Sequence, residues 1–185
     1  FLSLREPERH GIRSLSVACA REVGSLTWRL CIDGALAGAL NMARDHALAL
    51  SLPFESAILR LYRWERPTLS LGRNEPTVGR YDPAVLRRAG VDVVRRPTGG
   101  RAVLHWRELT YALAVPVTTL GGARAVYRWT NTCLAEGLAS LGIPAEIAPG
   151  PPGPTPLDAG PCFQVAAGGE VTAGGRKLVG SAQVK

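Results

Sequence analysis

One cysteine and one lysine near the end of the sequence are of the residue types that nucleophilic catalysis requires. Cys162 follows a run rich in proline and glycine over 149–161, and Lys177 comes after two predicted glycine turns. A cysteine attacks as its thiolate, and a nearby cation lowers the pKa of a thiol from about 8.5. The two turns allow the chain to fold back and bring the ammonium beside the sulfur. Two plainer interpretations stay open: an inert, half-buried cysteine and a solvated lysine at a strand edge.

A second candidate region lies in the middle of the chain, where residues 95–101 read Arg-Arg-Pro-Thr-Gly-Gly-Arg. The β-forming runs at 91–94 and 102–104 flank it, so the pattern predicts two strands joined by a tight hairpin. Three guanidiniums beside two glycines let an anion, or an acyl group that carries one, approach backbone N–H groups. An exposed hairpin with solvated arginines is the alternative interpretation.

The common nucleotide and hydrolase fingerprints are absent from the sequence. Residues 175–181 have the glycine spacing of a phosphate-binding loop but lack the lysine after the second glycine. No Gly-x-Gly-x-x-Gly follows a strand, and three histidines, at 10, 46 and 105, give no Ser-His-Asp set. For His105 we favour a structural histidine over a general base. The four cysteines lack zinc spacing, so no metal site is predicted.

Composition favours a cytoplasmic globular protein with an acidic partner. Hydrophobic residues make up 46% of the chain and charged residues 20%, and the net charge is +7. An anionic cofactor, an acidic carrier protein or a nucleic acid would each suit that charge. Basic residues are not interleaved with stacking aromatics, so we expect no nucleic-acid partner. No apolar run is long enough to span a bilayer, so we expect no membrane partner either.

Hydrophobic periodicity predicts an α+β fold with a mainly antiparallel sheet. Helices are predicted over 36–52, 82–88 and 123–141, and strands over 27–32 (ending in a turn at 33–34), 57–62, 68–71, 109–115, 170–172 and 177–179. The proline and glycine run over 149–161 is predicted to be a loop. Residues 1–24 are predicted to be a disordered extension, and residues 25–185 a single domain.

Two motifs, taken together, carry a family resemblance. Residues 95–105, followed by Glu-Leu-Thr-Tyr at 108–111, resemble the signature of the lipoate–protein ligase and octanoyltransferase family. Residues 175–183, Gly-Arg-Lys-Leu-Val-Gly-Ser-Ala-Gln, resemble its second signature, and Asn41, Met42, Ala43 and Asp45 match its early helix. The similarity runs from about Trp28 to Gln183. Family members continue beyond this motif, so we expect the domain to be incomplete at its C-terminus.

The resemblance implies a biotin/lipoyl-ligase fold and transfer of an octanoyl or lipoyl group to one lysine of a lipoyl domain. The pair Cys162-Phe163 is similar to the branch that passes the acyl group through a cysteine thioester, and Lys177 matches the lysine that accompanies that cysteine. Cys162 and Lys177 are therefore the expected catalytic residues. The expected substrate and acyl-binding residues are Arg96, Thr98, Gly99, Gly100, Arg101, Ala102, His105, Gly180, Ser181 and Ala182.

The thioester route implies two protein partners and no cofactor. The donor is octanoyl–acyl carrier protein, and the acceptor is a lipoyl-domain protein such as the glycine cleavage H protein or a 2-oxoacid dehydrogenase E2 subunit. Trp106 stands where the family usually carries Asp, which favours the transferase over a nucleotide-handling ligase. The alternatives are an ATP-dependent ligase that acts through lipoyl-AMP and needs Mg, and a non-catalytic relative that only binds a lipoyl domain.

Overall fold

A computed structural model describes residues 26–150 and 166–184 as strands and helices of an α+β fold, as predicted. The elements are β1 (Thr27–Leu36), α1 (Gly38–Leu50), β2 (Ser56–Trp64), β3 (Thr68–Leu71), α2 (Pro83–Arg88), β4 (Asp92–Arg95), β5 (Val103–His105), β6 (Thr110–Ala114), a 3-10 turn (Thr119–Gly121), α3 (Ala123–Ser140), β7 (Ala145–Ile147), β8 (Val171–Ala173) and β9 (Arg176–Val179). The predicted extension at 1–24 lies outside the described residues, and so does the predicted loop from residue 151 onward.

The described strands form three small sheets, with the orders β1-β2-β6, β4-β3-β5 and β7-β8-β9. β1 runs parallel to β2 and β3 runs parallel to β4, whereas the other four described pairings are antiparallel. The prediction of a mainly antiparallel arrangement is thus confirmed. No helix in the described part of the chain combines the length and apolar character that crossing a bilayer requires.

The predicted hairpin around residues 95–101 is wrong. β4 and β5 do not pair with each other, because both pair with β3, which lies between them. β3 is buried along its whole length, so it needs a hydrogen-bonded neighbour on each side. The loop from β4 to β5 therefore crosses over the end of β3 instead of closing a two-strand turn.

The predicted turn at residues 33–34 is also wrong, since β1 continues through it with an irregular register between Ile32 and Ala35. The strand continues because a buried guanidinium on β2 bonds to this part of β1. Arg60 on β2 is 1% exposed and donates from Nε to the carboxylate of Asp33, at 2.6 Å. It also donates to Asp45, at 2.5 Å, and to the side-chain oxygen of Asn41, at 2.7 Å. β1 stays a strand because Asp33 serves as one counter-ion of Arg60.

The helices begin and end close to where the sequence predicts. Asp82 caps α2 by accepting from the backbone N–H of Ala84, at 2.7 Å, and Pro83 occupies the first turn. In α3 the buried face consists of Val126, Asn131 and Ala135. Leu141, predicted to lie on that face, is 78% exposed because α3 ends at Ser140.

The crossing loop makes one very close backbone contact. A Cβ atom on Gly72 would lie 1.8 Å from the carbonyl oxygen of Gly100, far inside van der Waals contact. Gly100 itself has a φ of 90°, a conformation that favours glycine. Both residues must therefore be glycine for the loop to rest on the end of β3.

We predict that Gly72→Ala destabilises the protein by roughly 1–3 kcal/mol, because the new methyl group forces the loop away from β3. The shift of the urea unfolding midpoint, at an unchanged m-value, measures this loss of stability. Gly137→Ala on α3 is the matched control: its Cβ would meet no atom within 4 Å, and alanine is the better helix former. Equal stability losses in the two variants would contradict the close contact.

Candidate active site

Arg96 holds the loop of the first motif in place from inside. Its Nη1 donates to the carbonyl oxygen of Ser70, at 2.7 Å, at the end of β3. Its Nη2 donates to the carbonyl oxygens of Gly99 and Arg101, both at 2.8 Å, and its Nε donates to the Thr98 hydroxyl, at 3.1 Å. A planar guanidinium has five N–H donors in a fixed geometry, so these acceptors fix the curvature of the loop.

Arg95 likewise fixes the segment that follows β3 by donating to its carbonyl oxygens. One of its terminal nitrogens, Nη1, donates to the carbonyl oxygens of Gly72 (2.5 Å), Arg73 (3.2 Å) and Glu75 (3.1 Å). The carboxylate of Glu75 in turn accepts from the backbone N–H of Gly72, at 3.1 Å. The third arginine, Arg101, is buried at 5% exposure. The guanidiniums of Arg95 and Arg96 thus donate to carbonyl oxygens of the protein and shape the motif.

His105 joins two of the sheets. Its ring stacks on that of Trp64 with centroids 4.2 Å apart and planes 10° apart, and its Nδ1 lies 2.5 Å from a carboxylate oxygen of Glu108. Trp64 donates from its indole nitrogen to the Thr110 hydroxyl, at 2.8 Å. These contacts connect the His105 ring to β2 and to the turn that follows β5. A role for His105 in acyl binding stays a prediction.

The charge of Glu108 is stabilised by its neighbours. Burial by itself raises the pKa of Glu108, but hydrogen bonds from His105 and from the backbone N–H of Trp106 outweigh it and lower that pKa to about 2. The Trp106 N–H lies 2.9 Å from the second carboxylate oxygen. The turn from β5 to β6 is therefore organised around an ionised carboxylate.

The two sequence motifs meet directly, although they are far apart in the chain. The hydroxyl of Tyr111, at the end of the first motif, lies 2.5 Å from the hydroxyl of Ser181 in the second. Ser181 donates to the side-chain oxygen of Asn131, at 2.9 Å, and Asn131 donates to the carbonyl oxygen of Gly169, at 2.9 Å. Burial raises the pKa of Tyr111, so its phenol stays neutral and able to donate. The network connects β6, α3 and the segment after β9.

Lys177 lies on β9 with its side chain buried, at 3% exposure, and its ammonium donates to a carboxylate oxygen of Glu170 at 2.7 Å. It is thus not the solvated strand-edge lysine of the plainer interpretation. Cys162, the expected nucleophile, lies outside the described residues. Its distance from Lys177 therefore stays a prediction.

The remaining expected site residues lie next to these anchors. Gly180 and Ala182 are exposed on either side of half-buried Ser181, and Ala102 is half-buried just before β5. A side chain at Gly99 would meet no atom within 4 Å. Backbone is therefore accessible at Gly99 and Gly180, as an incoming acyl group would require.

Sequence reasoning missed three residues that organise this region: Trp64, Asn131 and Glu170. Asn131 had a signal, since it is a polar residue on the apolar face of a predicted helix. Glu170 had one too, as the acidic residue within the run that leads to Lys177. Trp64 had no such signal, because it lies just beyond the predicted strand and its partners come from distant strands.

We predict that Ser181→Ala lowers stability by about 1–3 kcal/mol, because it leaves the buried oxygen of Asn131 without the Ser181 donor. Denaturant unfolding measures the loss. Ser140→Ala is the control, since that hydroxyl bonds only to the exposed end of its own helix, at Gly137. Indistinguishable unfolding midpoints for the two variants would mean that the motif-to-motif network adds no stability.

The lowered pKa of Glu108 predicts a specific loss of stability in acid. A carboxylate with a depressed folded-state pKa stabilises the protein above its unfolded pKa, near 4.5, and that contribution disappears as the pH falls toward about 2. The native protein should therefore lose more stability between pH 5 and pH 2 than Glu108→Gln does, and the two should converge at the lower limit. Urea midpoints across that range measure the difference, and parallel curves would contradict the assignment.

Comparison with known proteins places these observations in a family. Residues 37–185 match the model of the lipoyl protein ligase A/B catalytic domain. Octanoyltransferase LipM of Symbiobacterium thermophilum is 38% identical over 165 residues, which cover 85% of this chain and 60% of that protein. The chain thus spans about 60% of the length of this curated relative.

Solved structures agree on the fold. A lipoate-protein ligase A bound with ATP superposes with a TM-score of 0.67 at 22% identity, covering 86% of this chain and 62% of that one. A bipartite lipoate protein ligase from Thermoplasma acidophilum, studied with its E2 lipoyl domain, gives a TM-score of 0.55 at 24% identity, covering 68% and 49%. The two motifs, their contact through Tyr111 and Ser181, and the match over 37–185 agree. The chain belongs to the lipoyl protein ligase A/B catalytic domain family.

Proposed function

We propose that this chain carries the catalytic machinery of a cysteine-dependent octanoyltransferase, which moves an octanoyl group from acyl carrier protein to a lysine of a lipoyl domain. The observation that carries the proposal is the meeting of the two motifs at Tyr111 and Ser181, with the buried ammonium of Lys177 on the strand that leads to Ser181. The name of the relative from Symbiobacterium thermophilum supports the same reaction.

The proposed reaction has two steps that balance without a cofactor. The Cys162 thiolate attacks the carbonyl carbon of the octanoyl thioester, and the thiolate of the carrier protein leaves. The amine of the acceptor lysine then attacks the new thioester, Cys162 leaves as its thiolate, and the acceptor nitrogen gives up a proton to water as the amide forms. Because a thioester is already activated for acyl transfer, neither step needs ATP.

Lys177 and the glycines of the two motifs have separate parts in this scheme. The ammonium of Lys177 favours the thiolate of Cys162 and the developing negative charge on the carbonyl oxygen. Backbone N–H groups around Gly99, Gly100 and Gly180 supply further donors to that oxygen. In this proposal the acyl group contacts the substrate-binding set of the first motif (Arg96, Thr98, Arg101, Ala102 and His105) and, in the second motif, Ser181 and Ala182.

The proposed partners are acidic carrier domains. A net charge of +7 attracts them and raises the rate of productive encounter. A bipartite ligase of the same fold has been studied with its E2 lipoyl domain, which supports a lipoyl domain as the acceptor here.

An ATP-dependent lipoate ligase is the second candidate, because a ligase of the same fold binds ATP. The turn after β5 favours the transferase. Trp106 is 53% exposed there, with the guanidinium of Arg107 4.5 Å above its ring, so an indole stands where the family carries a carboxylate. Handling a nucleotide and its metal ion depends on carboxylates more than thioester exchange does.

Intact-mass spectrometry after incubation with octanoyl–acyl carrier protein tests the proposal. We predict a mass increase of one octanoyl group on the native chain, no increase on Cys162→Ser, and a normal increase on Cys31→Ser, since Cys31 is a free thiol on β1 and belongs to neither motif. Hydroxylamine should remove the adduct, as it does for thioesters.

Three results would overturn the proposal. An adduct that persists in Cys162→Ser would place the acyl group elsewhere. Formation of lipoyl-AMP from lipoate and ATP, without a thioester, would establish the ligase. Neither product, together with binding of a lipoyl domain, would indicate a non-catalytic relative.

A further inference from the structure

We propose that Glu170 is the positioning residue for Lys177, and that it links the lysine to the backbone at Ala167. This inference rests on the proposed acyl transfer. It adds a residue that lies outside both sequence motifs and has no role in the scheme above.

The two oxygens of the Glu170 carboxylate have different partners. Oε1 accepts from the Lys177 ammonium, at 2.7 Å, and Oε2 accepts from the backbone N–H of Ala167, at 2.8 Å. Ala167 lies shortly after Cys162 in the sequence. One carboxylate thus contacts both the amine of the proposed site and the backbone that continues from its thiol.

Glu170 is itself held firmly by the surrounding backbone. Its carbonyl oxygen accepts from the N–H of Ala148, at 2.8 Å, and the N–H of Gly169 donates back to the carbonyl oxygen of Ala148, at 2.9 Å. The carbonyl oxygen of Gly169 accepts from Asn131, at 2.9 Å. Asn131 lies on α3 and accepts from Ser181, so the backbone at Gly169 is connected to both. The carboxylate therefore projects from a fixed backbone.

Lys177 reaches Glu170 because of the hairpin register. Thr172 on β8 pairs with Lys177 on β9, so the lysine side chain starts close to the strand that follows Glu170. The lysine side chain is 3% exposed and that of Glu170 is 10% exposed. A lysine stem has several rotatable bonds and loses much entropy when it is fixed, so a buried charged acceptor is an effective way to select one conformer.

A purely structural ion pair is the competing explanation. Buried ion pairs contribute little net stability compared with apolar residues of similar shape, so stability alone explains this one poorly. The two explanations also differ in consequence. A positioning residue controls where the amine lies, whereas a structural pair controls only how much protein is folded.

Glu170→Gln and Glu170→Asp separate these possibilities, with Glu146→Gln as the control, because Glu146 is an exposed carboxylate on β7 of the same sheet. The first readout is single-turnover acylation of Cys162 by octanoyl–acyl carrier protein, corrected for the folded fraction. We expect a fall of roughly tenfold in Glu170→Gln, the effect of losing a hydrogen bond to a charged group, partial rescue in Glu170→Asp, and no change in Glu146→Gln.

The second readout does not depend on catalysis. Trace acetic anhydride labels neutral amines, and peptide mass spectrometry reports the labelling of Lys177 relative to the chain's amino terminus. Without its carboxylate partner the Lys177 side chain is no longer held in one buried conformer, so we expect Lys177 to be labelled roughly tenfold faster in Glu170→Gln than in the native chain.

The outcomes separate this inference from the proposed function. Native rates of acylation and labelling in folded Glu170→Gln would overturn the positioning role. If the native chain forms no thioester, the proposed acyl transfer is refuted. The labelling of Lys177 then still decides whether Glu170 controls the amine: faster labelling in Glu170→Gln supports that control, and unchanged labelling refutes it.

Discussion

The arrangement of the first motif depends on the guanidinium of Arg96 and its bonds to backbone carbonyls. A loop made of Pro97, Thr98 and two glycines has almost no side chains with which to hold its own shape. Arg96 supplies the missing partners from within, by donating to both sides of the loop and to the end of β3 at once. These bonds hold the loop where the backbones of Gly72 and Gly100 approach closely. The loop thereby becomes a fixed part of the sheet.

Directional contacts connect the three sheets around the site. His105 stacks on Trp64 between the first two sheets, and Tyr111 reaches Ser181 beyond the third. From Ser181 the hydrogen bonds continue through Asn131 to the segment that carries Glu170. Hydrogen bonds depend on distance and angle much more steeply than apolar contacts do. A region built in this way holds its reactive groups in one geometry.

Buried charge recurs on either side of this region, where the buried cations Arg60 and Lys177 each have a carboxylate partner. Arg60 contacts Asp33 and Asp45, and Lys177 contacts Glu170. Burial raises the pKa of Asp45 although Arg60 and Tyr62 bond to it. Desolvation offsets most of the attraction in such pairs, so they add little to stability and much to specificity of arrangement. For Arg60 that arrangement is the junction of β1, α1 and β2, and for Lys177 it is the β8–β9 hairpin beside the second motif.

The sequence by itself determined the class of fold, most element boundaries and both motifs. Local chemistry is the reason: Asp82 and Pro83 start α2 wherever that helix lies, and the apolar period of 123–141 requires a helix. Only the tertiary structure decided that β4 and β5 flank β3, that β1 continues past Asp33, and that Glu170 holds Lys177. Each of these depends on a partner distant in sequence, or on a side-chain contact across a turn. Local sequence preferences do not predict which donor will bond to which acceptor once the chain has folded.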